Sequence, residues 1–286
     1  MIRSMTAFAA REAATPLGVL ACEIRAVNHR FLDLAVRLPE ELRALEPAIR
    51  DAVSGRLTRG KVELGIRPRQ ASATPDLALD ETMVARLGAA ARIVAREFPN
   101  LVVDFTRLLD VPGVLRRADA DPAAVAAAVL RLVEDCLDDF VAARAREGAK
   151  LAAAIGERLD AIERCVAEVR GWLPEIRRAL RERLLARLAD LGQPIEPGRL
   201  EQELVLQLQK MDVDEELDRL AAHVVEARRV LGRAEPAGRR LDFLLQEFNR
   251  EANTLGSKSV DQRTTGAAVE LKVLIEQIRE QVQNLE

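Results

Sequence analysis

A chain of 286 residues with 49% hydrophobic side chains can bury the core of one large domain or two modest ones. Its 43 Lys and Arg against 46 Asp and Glu leave a formal charge of -3, which excludes a global basic field, so any nucleic-acid contact must come from local patches. Cys22, Cys136 and Cys165 are widely spaced, odd in number and lack CxxC spacing, which excludes a disulfide framework and a thiolate zinc site and fits a reducing cytoplasm. No apolar run reaches the about 18 residues of a membrane span, and the segment after Arg3 has no signal-peptide core.

Residues 1–115 read as α+β. Leu20, Cys22, Ile24 and Ala26 alternate along one strand, Leu32, Leu34, Val36 and Leu38 along the next, and KVELGIRP from Lys61 gives a third. Between them EELRALEPAIRDAVSGRL spaces Leu42, Leu45, Ile49, Val53 and Leu57 as a helix packed on a sheet. Gln70–Asp80 is loop-like, and a helix over Glu81–Phe98 stops at Phe98-Pro99. From Pro122 to about Leu191 the chain is rich in Ala, Leu, Arg and Glu, with a break expected near Gly171–Pro174 that makes an antiparallel or protruding arm of residues 116–198. Gly192–Gly198 ends the arm. Helices are then expected over Arg199 to about Leu231, over Arg239–Asn253, and from beyond the polar loop LGSKSVDQ to Glu286, with GRAEPAG between the first two. The expected fold is α+β: an N-terminal antiparallel or mixed sheet with helices (1–115), a long helical arm (116–198) and a C-terminal helical bundle (199–286).

Only two histidines are available. His29, beside Asn28 and Arg30 at a strand junction, reads as a turn residue bonded to backbone. His223 stands on a helix where Asp212, Glu216, Arg219 and His223 are spaced 4, 3 and 4 and so share one polar edge. Glu247, Arg250 and Glu251 repeat the pattern on the next helix. If the two helices pack antiparallel, Glu216, His223, Glu247 and Glu251 face one cavity. Carboxylates with one imidazole suit Mn²⁺ or Mg²⁺ better than zinc. The plainer alternative is a set of solvated ion pairs at helical spacing.

Gly256-Ser257-Lys258-Ser259 brings hydroxyls, backbone N–H groups and a cation close to a helix start, a combination suited to phosphate. Arg59 and Lys61 in RLTRGKVE, with Arg25 and Arg30, are candidate contacts to a phosphate backbone, or members of solvated loops. One Trp, seven Phe and no Tyr argue against an aromatic base-stacking platform. Walker A, GxGxxG, GxSxG and HExxH patterns are absent, so no organic cofactor is expected.

Taken together, MIRSMTAFA, EIRAVNHRFLDLAVRLPEELRALEPAIR, RLTRGKVE, RLEQELVLQLQKMDVDEELDRLAAHV, GRRLDFLLQEFNREANTLGSKS and ELKVLIEQIREQVQNLE resemble the YicC/YloC family of bacterial endoribonucleases over essentially the whole chain. The resemblance implies a cytoplasmic, divalent-metal-dependent endoribonuclease that acts on single strands and encloses RNA as a homo-hexamer. Carried onto matching positions, Asp212, Glu216, Arg219, His223, Glu247, Arg250 and Glu251 become its metal and catalytic centre. Arg219 or Arg250 would neutralise a phosphate oxygen, and Lys258, Ser257, Arg59 and Lys61 would track the RNA backbone. Two alternatives stay open: attack by the ribose 2′-OH with His223 as base, and a non-catalytic RNA-binding scaffold with a structural acidic cluster. Where some relatives read NQR, this chain has Asn28-His29-Arg30, which leaves His29 without a catalytic part.

Overall fold

A computed structural model of the chain describes residues 2–69, 78–115, 121–190, 197–233 and 237–286. Strands β1 (Ala7–Thr15), β2 (Gly18–Val27), β3 (Leu32–Arg37) and β4 (Gly60–Pro68) form a sheet in the order β1-β2-β4-β3. β3 and β4 run parallel, and the other pairs are antiparallel. The parallel pair is joined by a 3-10 turn at Glu40–Leu45 and α1 (Glu46–Arg56), the kind of crossover a parallel pair requires. Pro47 lies in the first turn of α1, where a missing N–H costs no helical bond, so the single helix expected here divides in two.

The alternation in β2 is borne out, since Leu20, Cys22, Ile24 and Ala26 are all buried. β1 has no counterpart among the expected strands, because AFAAREAAT has weak intrinsic strand preference. It is held by pairing with β2 across the turn from Thr15 to Gly18, whose φ of 98° glycine adopts readily. Next come α2 (Glu81–Glu97) and the short α3 (Phe105–Leu109). The Asp80 side chain accepts from the Met83 N–H at 2.8 Å to start α2, and the helix stops at Phe98 as the Phe-Pro pair predicts.

α4 (Pro122–Asp190) runs 69 residues straight through Gly171 and Pro174, so the expected break is absent. Pro174 forfeits one backbone bond, yet Leu173 and Ile176 beside it are buried, and this burial outweighs the loss. At 1.5 Å per residue the helix is about 100 Å long. Its first half, from Val125 to Phe140, packs against the sheet and α1. Its second half, from Ile155 to Leu173, packs with Ile2 against α6 (Asp214–Leu231), α7 (Gly238–Lys258) and α8 (Gln262–Val282).

The helix expected over Arg199 to Leu231 is also two, α5 (Pro197–Lys210) and α6, because the chain leaves the helical path at Met211–Val213. There the Asp212 carboxylate accepts the Asp214 N–H at 3.2 Å. α7 continues past Asn253, so Gly256, Ser257 and Lys258 form its last turn instead of a loop. The connections expected at Gln70–Asp80, Gly192–Gly198 and GRAEPAG lie partly outside the described residues.

A clamp links the chain's two ends. Ser4 bridges Leu285, and Arg3 and Glu286 exchange backbone hydrogen bonds of 3.0 and 2.8 Å. Buried Arg144 of α4 donates Nε to the Ser4 carbonyl at 2.7 Å and ion-pairs with Glu286. Nearby Gly148 admits the segment at Ile2–Arg3, because a Cβ there would stand 2.5 Å from the Ile2 carbonyl oxygen. Among the described residues no helix is long and apolar enough to cross a membrane.

Candidate functional site

α6 buries Leu217, Leu220, Val224 and Ala227, and α7 buries Leu241, Leu245, Phe248, Ala252 and Leu255. Those 3-and-4 spacings seal the two helices together and leave their polar edges along the seam. The contacts Glu226–Arg240, Arg219–Glu251 and Glu216–Lys258 follow one another in opposite chain directions, so the pair is antiparallel.

Midway along the seam, His223, Glu247 and Glu251 each offer one ligand atom, and these atoms all lie within 4.8 Å of one another. Glu251 is buried, with 3% of its side chain accessible, while the Glu247 side chain is 49% accessible and opens the group to solvent. The His223 ring rests on Phe248, with centroids 5.5 Å apart and a 60° tilt. Its Nε2 is buried and has no hydrogen-bond partner among the described residues. One imidazole and two carboxylates, with a ring nitrogen left unsatisfied, fit a hard divalent cation.

The remaining members of the expected centre are placed differently. Glu216 is buried and turned to Lys258, whose Nζ donates to it at 2.7 Å and to the Asp212 carbonyl at 2.9 Å. Asp212 precedes α6, so it drops off the helical edge, and it lies 3.4 Å from Arg177. Arg219 bridges Glu215 and Glu251, the latter at 3.4 Å, and its pKa is raised, first by the Glu215 charge and then by the Glu251 hydrogen bond. Arg250 lies exposed, 3.7 Å from Glu247. Glu215 and Phe248 are participants the sequence reading passes over. The i,i+4 spacing of Glu215 and Arg219 was a readable signal, whereas Phe248 looks like any core residue.

Of the expected phosphate contacts, Ser257 donates Oγ to the Thr254 carbonyl at 2.9 Å within the last turn of α7, and Lys258 is taken up by Glu216. The Gly-Ser-Lys phosphate loop is therefore a helix end. Arg59 is turned inward, toward the Met5 sulfur at 2.6 Å and Glu286 at 3.6 Å. Arg25, Arg30 and Lys61 are exposed, with the Arg30 guanidinium 5.2 Å from the Phe31 ring centroid. His29 Nδ1 lies 2.9 Å from the Phe31 carbonyl oxygen, the backbone bond expected of it. All three cysteines are free and buried; burial pushes the Cys165 thiol up to about 11, which leaves it a poor nucleophile.

Two family descriptions match the chain: "Endoribonuclease YicC-like, N-terminal region" over residues 2–153 and "Endoribonuclease YicC-like, C-terminal" over residues 169–286. The chain belongs to the YicC-like family. Within that family it is 42% identical over 287 residues to the "Probable endoribonuclease YicC" of Haemophilus influenzae, with 100% of both chains covered. The protein of the same name from Clostridioides difficile strain 630 is 30% identical over 295 residues, again with 100% of both covered. In YicC-like terms, the His223–Glu247–Glu251 group lies wholly inside the C-terminal match.

Proposed function

We propose that the chain is a divalent-cation-dependent endoribonuclease whose reactive centre is the α6–α7 seam at His223, Glu247 and Glu251. The observation that carries the reading is the convergence of these three ligand atoms within 4.8 Å, with a buried, unpartnered ring nitrogen on His223. The relatives' names supply the RNA phosphodiester as substrate. A bound Mn²⁺ or Mg²⁺ would supply an activated water and neutralise charge on the scissile phosphate.

The chain's own residues divide the work by exposure. Glu251 and His223 form the floor, and the ring contact with Phe248 fixes the imidazole. Solvent-facing Glu247 forms the rim, and exposed Arg250, 3.7 Å from Glu247, would turn to meet a non-bridging phosphate oxygen. Arg219 stands as the second cation at the floor. Glu216 and Lys258 brace the two helices and are assigned no direct contact with the cation or the RNA. The reading includes a cytoplasmic homo-oligomer, a hexameric ring that encloses RNA.

The test is cleavage of end-labelled RNA by the intact protein with Mn²⁺, Mg²⁺ or EDTA, beside His223→Ala and Glu247→Ala variants whose assembly is verified by sedimentation. The expected result is metal-dependent cutting that each variant loses by a hundredfold or more, roughly the scale of a metal ligand or its support. Undiminished cutting in both variants moves the chemistry away from this seam. Products ending in 2′,3′-cyclic phosphate assign attack to the ribose 2′-OH. Binding without cutting by any form assigns the chain to the scaffold class.

A further inference from the structure

Phenylalanine is scarce in the sequence but not at the surface: of seven Phe, only Phe140 and Phe248 are buried, while Phe8, Phe31, Phe98, Phe105 and Phe243 are exposed. Phe8 and Phe31 lie at the same end of the sheet, close to cations that have no ion-pair partner among the described residues. α4 and α1 cover one sheet face, and among the described residues no element packs on the other. The strand registers fix what that open face presents. Phe8 stands opposite Arg25, and Arg25 opposite Glu63; Val27 stands opposite Lys61, and Lys61 opposite Asp33. Phe8, Arg25 and Val27 line one shallow hollow at the rim of this face, which Thr6, Ala7, Ala26 and, from α4, Ala143 and Glu147 complete.

The loop from β2 to β3 then presents Phe31, 65% accessible, with the Arg30 guanidinium over its ring. This loop is firmly held. The Phe31 carbonyl accepts from the Gly60 N–H at 3.1 Å and meets His29 Nδ1, and Asn28 Nδ2 donates to the Gln283 carbonyl at 2.6 Å. An exposed ring on a fixed backbone loses little entropy when a flat partner stacks on it. Among the described residues Arg25, Arg30 and Lys61 have no ion-pair partner, unlike Arg67 and Arg69 farther along the same face, which are paired with Glu23 and Glu12. Glu63 and Asp33 share the patch, so it suits a strand that places bases on the rings and a few phosphates on the cations, better than a uniformly charged polyanion.

We propose that the Phe8–Phe31 end of the open sheet face is a binding site for single-stranded RNA, with bases stacked on the two rings and phosphates held by Arg25, Arg30 and Lys61. The site is separate from the α6–α7 seam and needs no cation, and its choice of ligand rests on the endoribonuclease reading. Stacking on an aromatic ring is worth roughly five- to a hundredfold in affinity per base, and each phosphate contact adds about 0.7 to the salt slope of single-strand binding.

The test measures fluorescence anisotropy of a labelled oligouridine with the full-length protein in EDTA, for wild type, Phe8→Ala, Phe31→Ala, Phe31→Trp and Lys61→Gln. A matching abasic strand serves as control, and sedimentation reports the assembly of each form. The expected result is roughly tenfold weaker oligouridine binding for each alanine variant, restored binding for Phe31→Trp and no change on the abasic strand. Lys61→Gln lowers the salt slope by about 0.7. Wild-type affinity in both alanine variants, while the wild-type protein still cuts RNA, overturns this site and leaves the activity standing. Alanine variants that lose mass in sedimentation but bind RNA normally assign the patch to contact with a second copy. A wild type that neither binds nor cuts RNA overturns both readings.

Discussion

Glu251 presents a buried charge with a single long hydrogen bond, 3.4 Å from Arg219, as its one partner among the described residues. A buried carboxylate cannot be left uncompensated cheaply, so Arg219 holds the position of counter-charge that a divalent cation would otherwise fill. On the proposed reading, a cation held by His223, Glu247 and Glu251 would compete with Arg219 for the Glu251 carboxylate. In Arg219→Gln the cation-free protein is expected to unfold at a lower urea concentration than wild type, because the buried Glu251 carboxylate loses its partner. Its Mn²⁺ affinity is expected to rise in titration calorimetry, and added Mn²⁺ should raise its Tm by more than it raises that of wild type. Equal affinities in the two proteins would remove Arg219 from this role. The same residue shows where spacing stops being informative. Positions 3 and 4 apart place Glu216, Arg219 and His223 on one edge, but the partner each side chain takes depends on the facing helix. Lys258 captures Glu216 only because α7 runs on for one more turn.

The α6–α7 pair is fastened at its connection as well as at its centre. Glu226 accepts from Arg229 and Arg240, and its pKa is lowered to about 2, first by the Arg229 hydrogen bond and then by the charges of both arginines. Because the folded value lies below the ordinary 4.5, the associated stability is fully present above 4.5 and is lost as pH falls toward about 2. Asp261, lowered chiefly by its hydrogen bond from Arg263, acts in the same direction at the start of α8. Tm followed through this acid range is expected to fall less steeply in Glu226→Gln than in wild type, the remaining slope belonging to Asp261 and other carboxylates; parallel curves would exclude the Glu226 contribution. Elements whose ends are set by local chemistry were legible in the sequence. α2 stops where a proline restricts the residue before it, and β2 shows its buried face in the period-2 pattern of Leu20 to Ala26. Elements decided by distant packing were not. The Ala-rich β1 needs β2 to define it, and the continuity of α4 past Pro174 depends on Leu173 and Ile176 finding a core far along the chain.

At the scale of the molecule, α4 is, among the described residues, the one helix that belongs to both cores, and Gly148 marks the crossing between them. Two glycines on this helix should respond oppositely to alanine. Gly148→Ala drives a methyl into the Ile2–Arg3 backbone and should cost about 1–3 kcal/mol in urea unfolding, whereas Gly156, with open space around its missing Cβ, should gain roughly 0.5–1 kcal/mol from the better helix former. Stabilisation of both would mean that the segment at Ile2–Arg3 yields easily. The pattern of Ala, Leu, Arg and Glu showed that α4 exists, but nothing local could show that residues 2–5 and 284–286 meet beside it. That meeting joins segments about 280 positions apart, a long closure for a free chain to find. Once each core has docked on α4, Arg144 and Gly148 already stand between the two segments. The helix thereby acts as a template: it raises the effective concentration of one segment at the other, so that a nearly chain-length search becomes a local step taken late in folding.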